Sequence, residues 1–373
     1  MGIFCDTILI MQENIEIKEK VFLMGVIFDN KEDVKYSLNE LARLSETAGL
    51  EVVGSDFQWV RAVTPATLIG SGKVEEIKEK IKTLDADVVI FDCELSGSQM
   101  KNLSEIFDVK VLDRIGIILD IFALRATSME SRLQVELAQL KYSLPKLSSL
   151  QGTSGRFGSG GVGMRGPGET KLELDKRVIE NNIVRLEREL HKLKDQRFLK
   201  RKQRLETGKK KVAIVGYTNA GKSTLLNVIS KAGVYADDLL FATLDTTSRS
   251  IWLNSKLQII LTDTVGFISK LPHTLIDAFA STLEELQFAD LILHIIDISN
   301  LNYKKQKDIV DKTINKVGAG NIPQIIVYNK SDAMEDKQIF EDNLKSNEAL
   351  ISAKKNQNID KLKEKIIEYF ENN

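Results

Sequence analysis

The sequence predicts an α/β protein in three parts: an N-terminal α/β domain, a coiled-coil-like helical hairpin with a glycine-rich loop, and a C-terminal α/β domain with a parallel sheet. Three observations predict this fold class. Short apolar runs alternate with helical segments near both ends of the chain, heptad-spaced leucines occupy the middle, and a glycine-rich loop follows an apolar run at residue 216. We expect the parts to span residues 1–125, 126–208 and 209–373.

Alternating strand-like and helix-like segments predict the N-terminal domain. Val21–Phe28, Val88–Phe91 and Val109–Leu112 are apolar runs of strand length. Residues 32–47 place apolar side chains on one helical face, at Val34, Leu38, Leu41 and Leu44. This alternation is typical of an α/β domain.

The segment Gly70–Lys73 looks like a fragment of a phosphate-binding loop. It lacks the first glycine of that motif at the required spacing, and Val74 stands where the motif has Ser or Thr. We therefore interpret it as a glycine turn that opens the following helix.

Two seams of apolar residues predict the helical hairpin. In the first seam they recur at alternating steps of three and four, at Met129, Leu133, Leu137, Leu140, Leu144 and Leu147. The second follows a seven-residue repeat with two intermediate positions, at Leu172, Ile179, Ile183, Leu186, Leu190 and Leu193. Residues 152–168 join the seams and contain eight glycines in seventeen positions, so we expect an antiparallel helix pair with a flexible loop.

Positive charge is concentrated in one segment. The chain of 373 residues has a net charge of −1, yet Lys192–Lys211 contains ten basic and two acidic residues. Such a block is either a surface that contacts RNA phosphates or the solvated face of a coiled coil. Composition alone does not choose between these two interpretations.

Composition and patterning predict a cytoplasmic protein without a membrane span. No apolar run approaches the ~18 residues that a spanning helix needs. Acidic residues interrupt the apolar N-terminal stretch, which argues against a signal peptide. Cys5 and Cys93 have no metal-like spacing, so we interpret them as reduced thiols.

A complete phosphate-loop motif opens the C-terminal part. The apolar run Val212–Val215 leads into Gly216-Tyr217-Thr218-Asn219-Ala220-Gly221-Lys222-Ser223, and a helical pattern follows from Thr224. Such loops hold phosphate groups with backbone N–H groups at a helix N-terminus. We expect Lys222 to reach the β- and γ-phosphates and the Ser223 hydroxyl to coordinate Mg²⁺.

A second motif follows the apolar run Ile259–Thr262. It reads Asp263-Thr264-Val265-Gly266 and comes about forty residues after the phosphate loop. We expect Asp263 to hold the Mg²⁺ shell through water, as an acid at a strand end does in phosphate-loop NTPases. The Gly266 N–H is expected to contact the γ-phosphate.

A third motif indicates the base. The apolar run Ile325–Tyr328 leads into Asn329-Lys330-Ser331-Asp332. A carboxylate at Asp332 can accept hydrogen bonds from N1–H and the 2-amino group of guanine, whereas adenine offers neither donor, which disfavours an ATPase or a helicase. Ser352-Ala353-Lys354 is expected to contact the guanine carbonyl through its backbone.

The segment Phe241-Ala242-Thr243-Leu244-Asp245 lies between the first two motifs, where a switch loop is expected. We favour Thr243 for the second Mg²⁺ hydroxyl, with Thr246 and Thr247 as alternatives. Lys222, Thr243 and Gly266 are then the expected catalytic residues.

On these motifs the chain resembles the HflX family of ribosome-associated GTPases over nearly its whole length. The resemblance lies in Leu119–Phe122, Gln134–Leu140, Gly168–Glu173, Phe241–Asp245 and Asp263–Ile268. In the family, the residue that matches Thr243 coordinates Mg²⁺. The chain departs from the family at Thr246, where the family commonly has Pro.

The resemblance implies a Ras-like phosphate-loop GTPase domain, with Mg²⁺ as cofactor and GTP or GDP as ligand. It also implies binding to the large ribosomal subunit and its rRNA, and splitting or rescue of stalled ribosomes under stress. The alternative is a GTP-gated RNA-binding or ribosome-assembly module in which hydrolysis is a timer. We expect a monomer. We also expect slow, partner-stimulated hydrolysis, because Phe267 stands where many small GTPases have a water-orienting Gln.

Overall fold

The computed structural model describes residues 18–28, 33–154, 171–205, 209–230, 240–241, 247–264, 266–270, 284–334 and 337–372. These residues form an N-terminal α/β domain, two long helices and a C-terminal α/β domain, which confirms the predicted fold class. Across these ranges, no helix combines the length and the apolar character that crossing a membrane requires. The predicted domain limits at 125 and 208 stay a prediction.

A four-stranded parallel sheet forms the N-terminal domain. The elements are β1 Lys20–Ile27, α1 Val34–Thr47, β2 Glu51–Trp59, α2 Ser71–Leu84, β3 Val88–Phe91, α3 Gly97–Phe107, β4 Lys110–Asp113 and α4 Arg114–Arg125. The strands lie in the order β2-β1-β3-β4. The central strands β1 and β3 are almost wholly buried, as expected for parallel strands between layers of helices.

The predicted N-terminal elements are confirmed, and one strand was missed. Gly70 is the N-cap residue of α2 and Ser71–Lys73 begin the helix, so Gly70 opens this helix as expected. The missed strand is β2, at the edge of the sheet, where Phe57 and Trp59 are about half exposed. An edge strand of this kind has no continuous apolar run, which is why the pattern does not reveal it.

Helices α5 (Met129–Ser154) and α6 (Lys171–Leu205) pack against each other. Two ion pairs bridge them, Lys141 with Glu187 at 2.7 Å and Arg185 with Glu136 at 3.8 Å. Helix α5 continues to Ser154, so the first three residues of the predicted loop 152–168 are helical. The remaining loop residues lie outside the described part of the chain.

A six-stranded sheet forms the C-terminal domain. The elements are β5 Lys210–Gly216, α7 Lys222–Ser230, β6 Thr247–Trp252, β7 Gln258–Asp263, β8 Leu291–Asp297, α8 Tyr303–Lys316, β9 Gln324–Asn329, α9 Lys337–Asp342, β10 Glu348–Leu350 and α10 Ile359–Asn372. The strand order is β10-β9-β8-β5-β7-β6, and only the β6–β7 pair is antiparallel. Because β5, β7 and β9 are parallel, the three predicted motifs that follow them meet at one edge of the sheet.

The two α/β domains share one buried apolar cluster. Leu41 of α1 and Phe122 of α4 belong to it, together with Phe241 and Phe267 of the C-terminal domain. The rings of Phe122 and Phe241 meet edge to face, with their centroids 4.7 Å apart. The N-terminal domain therefore packs directly against segments that the sequence assigns to nucleotide binding.

Truncation of Leu186 is expected to destabilise the helix pair, because this side chain of α6 is fully buried. Leu186→Ala should lower the free energy of unfolding by about 2–5 kcal/mol. Val184→Ala is the matched control, since Val184 is 45% exposed on the same helix. Urea unfolding followed by circular dichroism measures both variants. Equal effects of the two substitutions would contradict a buried role for Leu186.

Candidate functional site

A cavity of about 590 Å³ lies at the carboxyl edge of the C-terminal sheet. Its wall includes Lys222 of the first motif, Gly266 of the second and Asp332 of the third. Ligands of open α/β sheets bind outside the carboxyl ends of the strands. The cavity therefore lies where the sequence predicts a nucleotide.

The phosphate loop follows a tight path that requires glycine at two positions. The φ angle of Gly221 is +91°, and a Cβ atom there would lie 2.3 Å from Nδ2 of Asn329. A Cβ atom at Gly216 would lie 2.3 Å from the carbonyl oxygen of Ile295. Only glycine avoids these clashes. A loop backbone without these side chains can come close to phosphate oxygens.

Lys222, the first residue of α7, keeps its ammonium group inside the phosphate loop. The residue is 6% exposed, and Nζ donates to the carbonyl oxygens of Tyr217 at 2.8 Å and Gly216 at 3.2 Å. Burial lowers the pKa of Lys222 to about 8, and the carboxylate of Asp263 opposes this shift. A buried ammonium group of this kind favours an anionic ligand, because burial penalises a charge that has no counter-ion.

Oxygen atoms of the first two motifs meet beside this lysine. The Ser223 hydroxyl donates to Oδ2 of Asp263 at 2.7 Å, and Asp263 is 1% exposed at the end of β7. The Thr264 hydroxyl donates to the carbonyl oxygen of Ile214 at 2.7 Å. The first bond joins the start of α7 to the end of β7, and the second joins the residue after β7 to β5.

Gly266 lies against the phosphate loop. A Cβ atom there would lie 2.9 Å from Cγ2 of Thr218 and 3.0 Å from Nζ of Lys222. The next residue, Phe267, accepts a hydrogen bond from the Thr218 N–H at 2.7 Å and donates its own N–H to Gly216 at 3.2 Å. The Phe267 side chain is buried in the cluster shared with the N-terminal domain and does not line the cavity.

Asn329, at the end of β9, joins the phosphate loop to the third motif. Its Nδ2 donates to the carbonyl oxygen of Ala220 at 2.8 Å, and its Oδ1 accepts from the Ala353 N–H at 3.0 Å. Lys330, with a φ angle of +64°, forms an ion pair with Asp297 at 2.8 Å. The amide of Asn329 thus connects three separate loops.

The carboxylate of Asp332 is exposed at the cavity. The Ser352 hydroxyl donates to its Oδ1 at 2.5 Å, and this hydrogen bond lowers the pKa of Asp332. An ionised carboxylate only accepts hydrogen bonds, so this group is suited to a ligand that presents donors, as guanine does.

Most of the predicted site residues line the cavity. They are Thr218, Asn219, Gly221, Lys222, Ser223, Thr224, Phe241, Thr264, Gly266, Asn329, Lys330, Asp332, Ala353 and Lys354. Five others lie within two residues of these in the chain without lining the cavity, namely Gly216, Ala220, Asp263, Ser331 and Ser352. Predicted residues outside the described part of the chain are Ala242, Thr243, Leu244, Asp245 and Val265, and the alternative Thr246 is there too.

The remaining predicted residue, Tyr217, does not line this cavity. It is 3% exposed, and its hydroxyl donates to Glu40 of α1 rather than facing the cavity. The motif identifies the position in the loop, but the direction of the side chain depends on the N-terminal domain.

Sequence reasoning missed the contribution of α1 to the cavity wall, which consists of Arg43, Glu46 and Thr47. The Thr47 hydroxyl accepts from the Leu240 N–H at 3.3 Å. No motif marks these residues. The amphipathic pattern of α1 shows only that they lie next to the buried face of the helix. That position does not indicate a contact with a ligand.

Three family models match consecutive parts of the chain. Residues 35–123 match the model described as the GTP-binding GTPase N-terminal region, and residues 125–204 match the middle region of the same kind of protein. Residues 211–330 match the model described as a 50S ribosome-binding GTPase.

The chain is similar to proteins named GTPase HflX. It is 50% identical to the one from Caldanaerobacter subterraneus, over 87% of this chain and 75% of that protein. It is 47% identical to the one from Lacrimispora saccharolytica, over 93% and 82%. It is 41% identical to the one from Escherichia coli, over 87% and 76%.

A solved structure supports the fold. The GTP-binding protein from the archaeon Sulfolobus solfataricus in complex with GDP aligns with 94% of this chain and 98% of that chain, with a TM-score of 0.51 and 23% identity. The identities to the bacterial relatives establish the family. The chain therefore belongs to the HflX family of GTPases, proteins that bind and hydrolyse GTP.

Proposed function

We propose that this GTPase binds the large ribosomal subunit and its rRNA, and that it couples GTP binding and hydrolysis to the splitting or rescue of stalled ribosomes under stress. The observation that carries the proposal is the match of residues 211–330 to the family model described as a 50S ribosome-binding GTPase. The basic segment Lys192–Lys211, which covers the C-terminal part of α6 and the start of β5, supports it, because Lys and Arg contact RNA phosphates.

The basic segment equally favours a second candidate, a GTP-gated RNA-binding or ribosome-assembly module. In that function hydrolysis is a timer, and intact ribosomes are not separated. Light scattering of intact ribosomes distinguishes the two candidates. Addition of the protein with GTP lowers the scattering if it splits ribosomes, and leaves it unchanged if the protein only assists assembly.

The proposed nucleotide site is the set predicted from the sequence, from Gly216 to Thr224, Phe241 to Asp245, Asp263 to Gly266, Asn329 to Asp332 and Ser352 to Lys354. In this proposal the buried ammonium of Lys222 binds the β- and γ-phosphates, and the Gly266 N–H contacts the γ-phosphate. The carboxylate of Asp332 binds the guanine edge.

Mg²⁺ is the proposed cofactor. The Ser223 hydroxyl and the Asp263 carboxylate, 2.7 Å apart, are the hard oxygen donors that Mg²⁺ prefers. Ser223 and Thr243 would bind the ion directly, and Asp263 through water. When bound, the ion neutralises charge on the β- and γ-phosphate oxygens.

Asp332→Asn should change the base preference of the site. The new amide presents a donor where guanine also presents donors, so GTP binding should weaken roughly 100-fold or more, and xanthosine triphosphate should be favoured. Asp342→Asn is the matched control, because Asp342 is an exposed residue of α9 that does not line the cavity. A nucleotide competition assay measures both variants. An unchanged preference in Asp332→Asn would remove this residue from the base site.

Large ribosomal subunits should stimulate GTP hydrolysis strongly. The buried Phe267 side chain cannot orient the attacking water, so turnover by the protein alone should not exceed the ~10⁻⁴ s⁻¹ of a Gln-bearing GTPase. A partner that completes such a site raises the rate up to ~10⁵-fold, which corresponds to about 7 kcal/mol of barrier. Single-turnover rates with large subunits, with small subunits and without ribosomes measure this effect. Equal rates in all three would contradict a partner-completed site.

A further inference from the structure

A buried network of charged and hydroxyl groups joins the N-terminal domain to the phosphate loop. Its centre is Glu40 of α1, which is 7% exposed. The Glu40 carboxylate accepts hydrogen bonds from the Tyr217 hydroxyl, the Arg114 guanidinium group and the Ser269 hydroxyl. One carboxylate of the N-terminal domain therefore contacts two groups of the C-terminal domain.

Among the residues that the structure describes, the charges of this network balance when the two domains are together. Arg114, which is 2% exposed, donates to Asp92 at 2.6 Å and to the Ser269 hydroxyl at 3.2 Å. The second cation is Lys270 of the C-terminal domain, whose Nζ lies 2.9 Å from Asp92. Without Lys270, the buried N-terminal groups would hold two carboxylates against one guanidinium group. A buried charge without its partner is strongly unfavourable, so the network favours docking of the domains.

The network also fastens the segment after Gly266 to the phosphate loop. The Ser269 N–H donates to the Tyr217 hydroxyl at 2.6 Å, and the same hydroxyl donates to Glu40. Tyr217 lies inside the phosphate loop, and Ser269 follows Gly266 by three residues. The Tyr217 hydroxyl is thus held between a carboxylate of one domain and a backbone N–H of the other.

We infer that Glu40 is a positioning residue of the guanine-nucleotide site, which acts through the Tyr217 hydroxyl and Ser269 to hold the Gly266 segment against the phosphate loop. GDP has no γ-phosphate for the Gly266 N–H to contact, so loss of the network weakens GTP binding more than GDP binding. By linkage, GTP strengthens docking of the N-terminal domain by the same factor. The inference rests on the proposed role of Gly266 and is independent of ribosome binding.

Tyr217→Phe tests this inference, because it removes only the hydroxyl that joins Glu40 to the Ser269 N–H. The matched control is Tyr142→Phe, which removes a hydroxyl that donates to Asp113 at 2.5 Å away from the phosphate loop. Isothermal titration of the full chain with a non-hydrolysable GTP analogue and with GDP gives the ratio of the two affinities. We expect the affinity for the GTP analogue, divided by the affinity for GDP, to fall about tenfold in Tyr217→Phe, because a hydrogen bond to a charged group is lost. The same ratio should stay unchanged in Tyr142→Phe.

Glu40→Gln and the double variant Glu40→Gln/Tyr217→Phe complete a cycle. Because the two side chains share one hydrogen bond, their effects on the ratio should be less than additive in the double variant. An unchanged ratio in Tyr217→Phe, equal changes in both tyrosine variants, or additive effects in the cycle would each overturn the inference.

Failure of the nucleotide site itself is distinguishable in the same titrations. Asp332→Asn then binds both nucleotides as tightly as the wild type does. If only the coupling through Glu40 is wrong, Asp332→Asn binds both nucleotides weakly, and Tyr217→Phe keeps the wild-type ratio.

Discussion

The geometry of the cavity depends on two hydrogen bonds of the Asn329 side-chain amide. It donates to Ala220 in the phosphate loop and accepts from Ala353 in the loop after β10, so it holds both ends of the cavity at a constant separation. Its position also requires glycine at residue 221, because any Cβ atom there would clash with the amide. These hydrogen bonds thus set the distance between the two ends of the cavity.

The cavity is formed at an electrostatic cost that an anionic ligand would offset. The ammonium group of Lys222 is buried against backbone carbonyl oxygens, and its lowered pKa reflects that burial. On the other side of the phosphate loop, Arg114 is buried between Glu40 and Asp92, where loss of one partner of such a pair costs about 3–5 kcal/mol. Charges are thus buried on both sides of the loop, and in the proposed function this arrangement would limit the reorganisation that phosphate binding requires.

The parts of the site that could be predicted from the sequence are those determined by local chemistry. Gly216, Gly221 and Asp332 belong to short motifs, and the apolar runs before these motifs are buried parallel strands. The edge strands β2 and β6 have mixed polarity, so their sequences do not distinguish them from loops.

The contribution of the N-terminal domain was not predictable from local patterns. Tyr217 points toward Glu40, which lies 177 residues away in the chain, and Thr47 meets Leu240 at a separation of 193 residues. Contacts between residues so far apart in the chain depend on how the two domains pack. Neither Glu40 nor Thr47 belongs to a recognisable sequence motif. Thr243 lies outside the described residues, so its role in Mg²⁺ binding stays a prediction.

We propose that the cavity is a preformed site for guanine nucleotides. The most direct test of this proposal is the thermal unfolding temperature of the unmodified protein with Mg²⁺ and the same high concentration of GTP, GDP or ATP. A ligand at 100 times its Kd stabilises the state that binds it by about 2.7 kcal/mol. We predict that GTP and GDP raise the unfolding temperature and that ATP at the same concentration does not. An equal rise with ATP, or no rise with GTP and GDP, would contradict the claim.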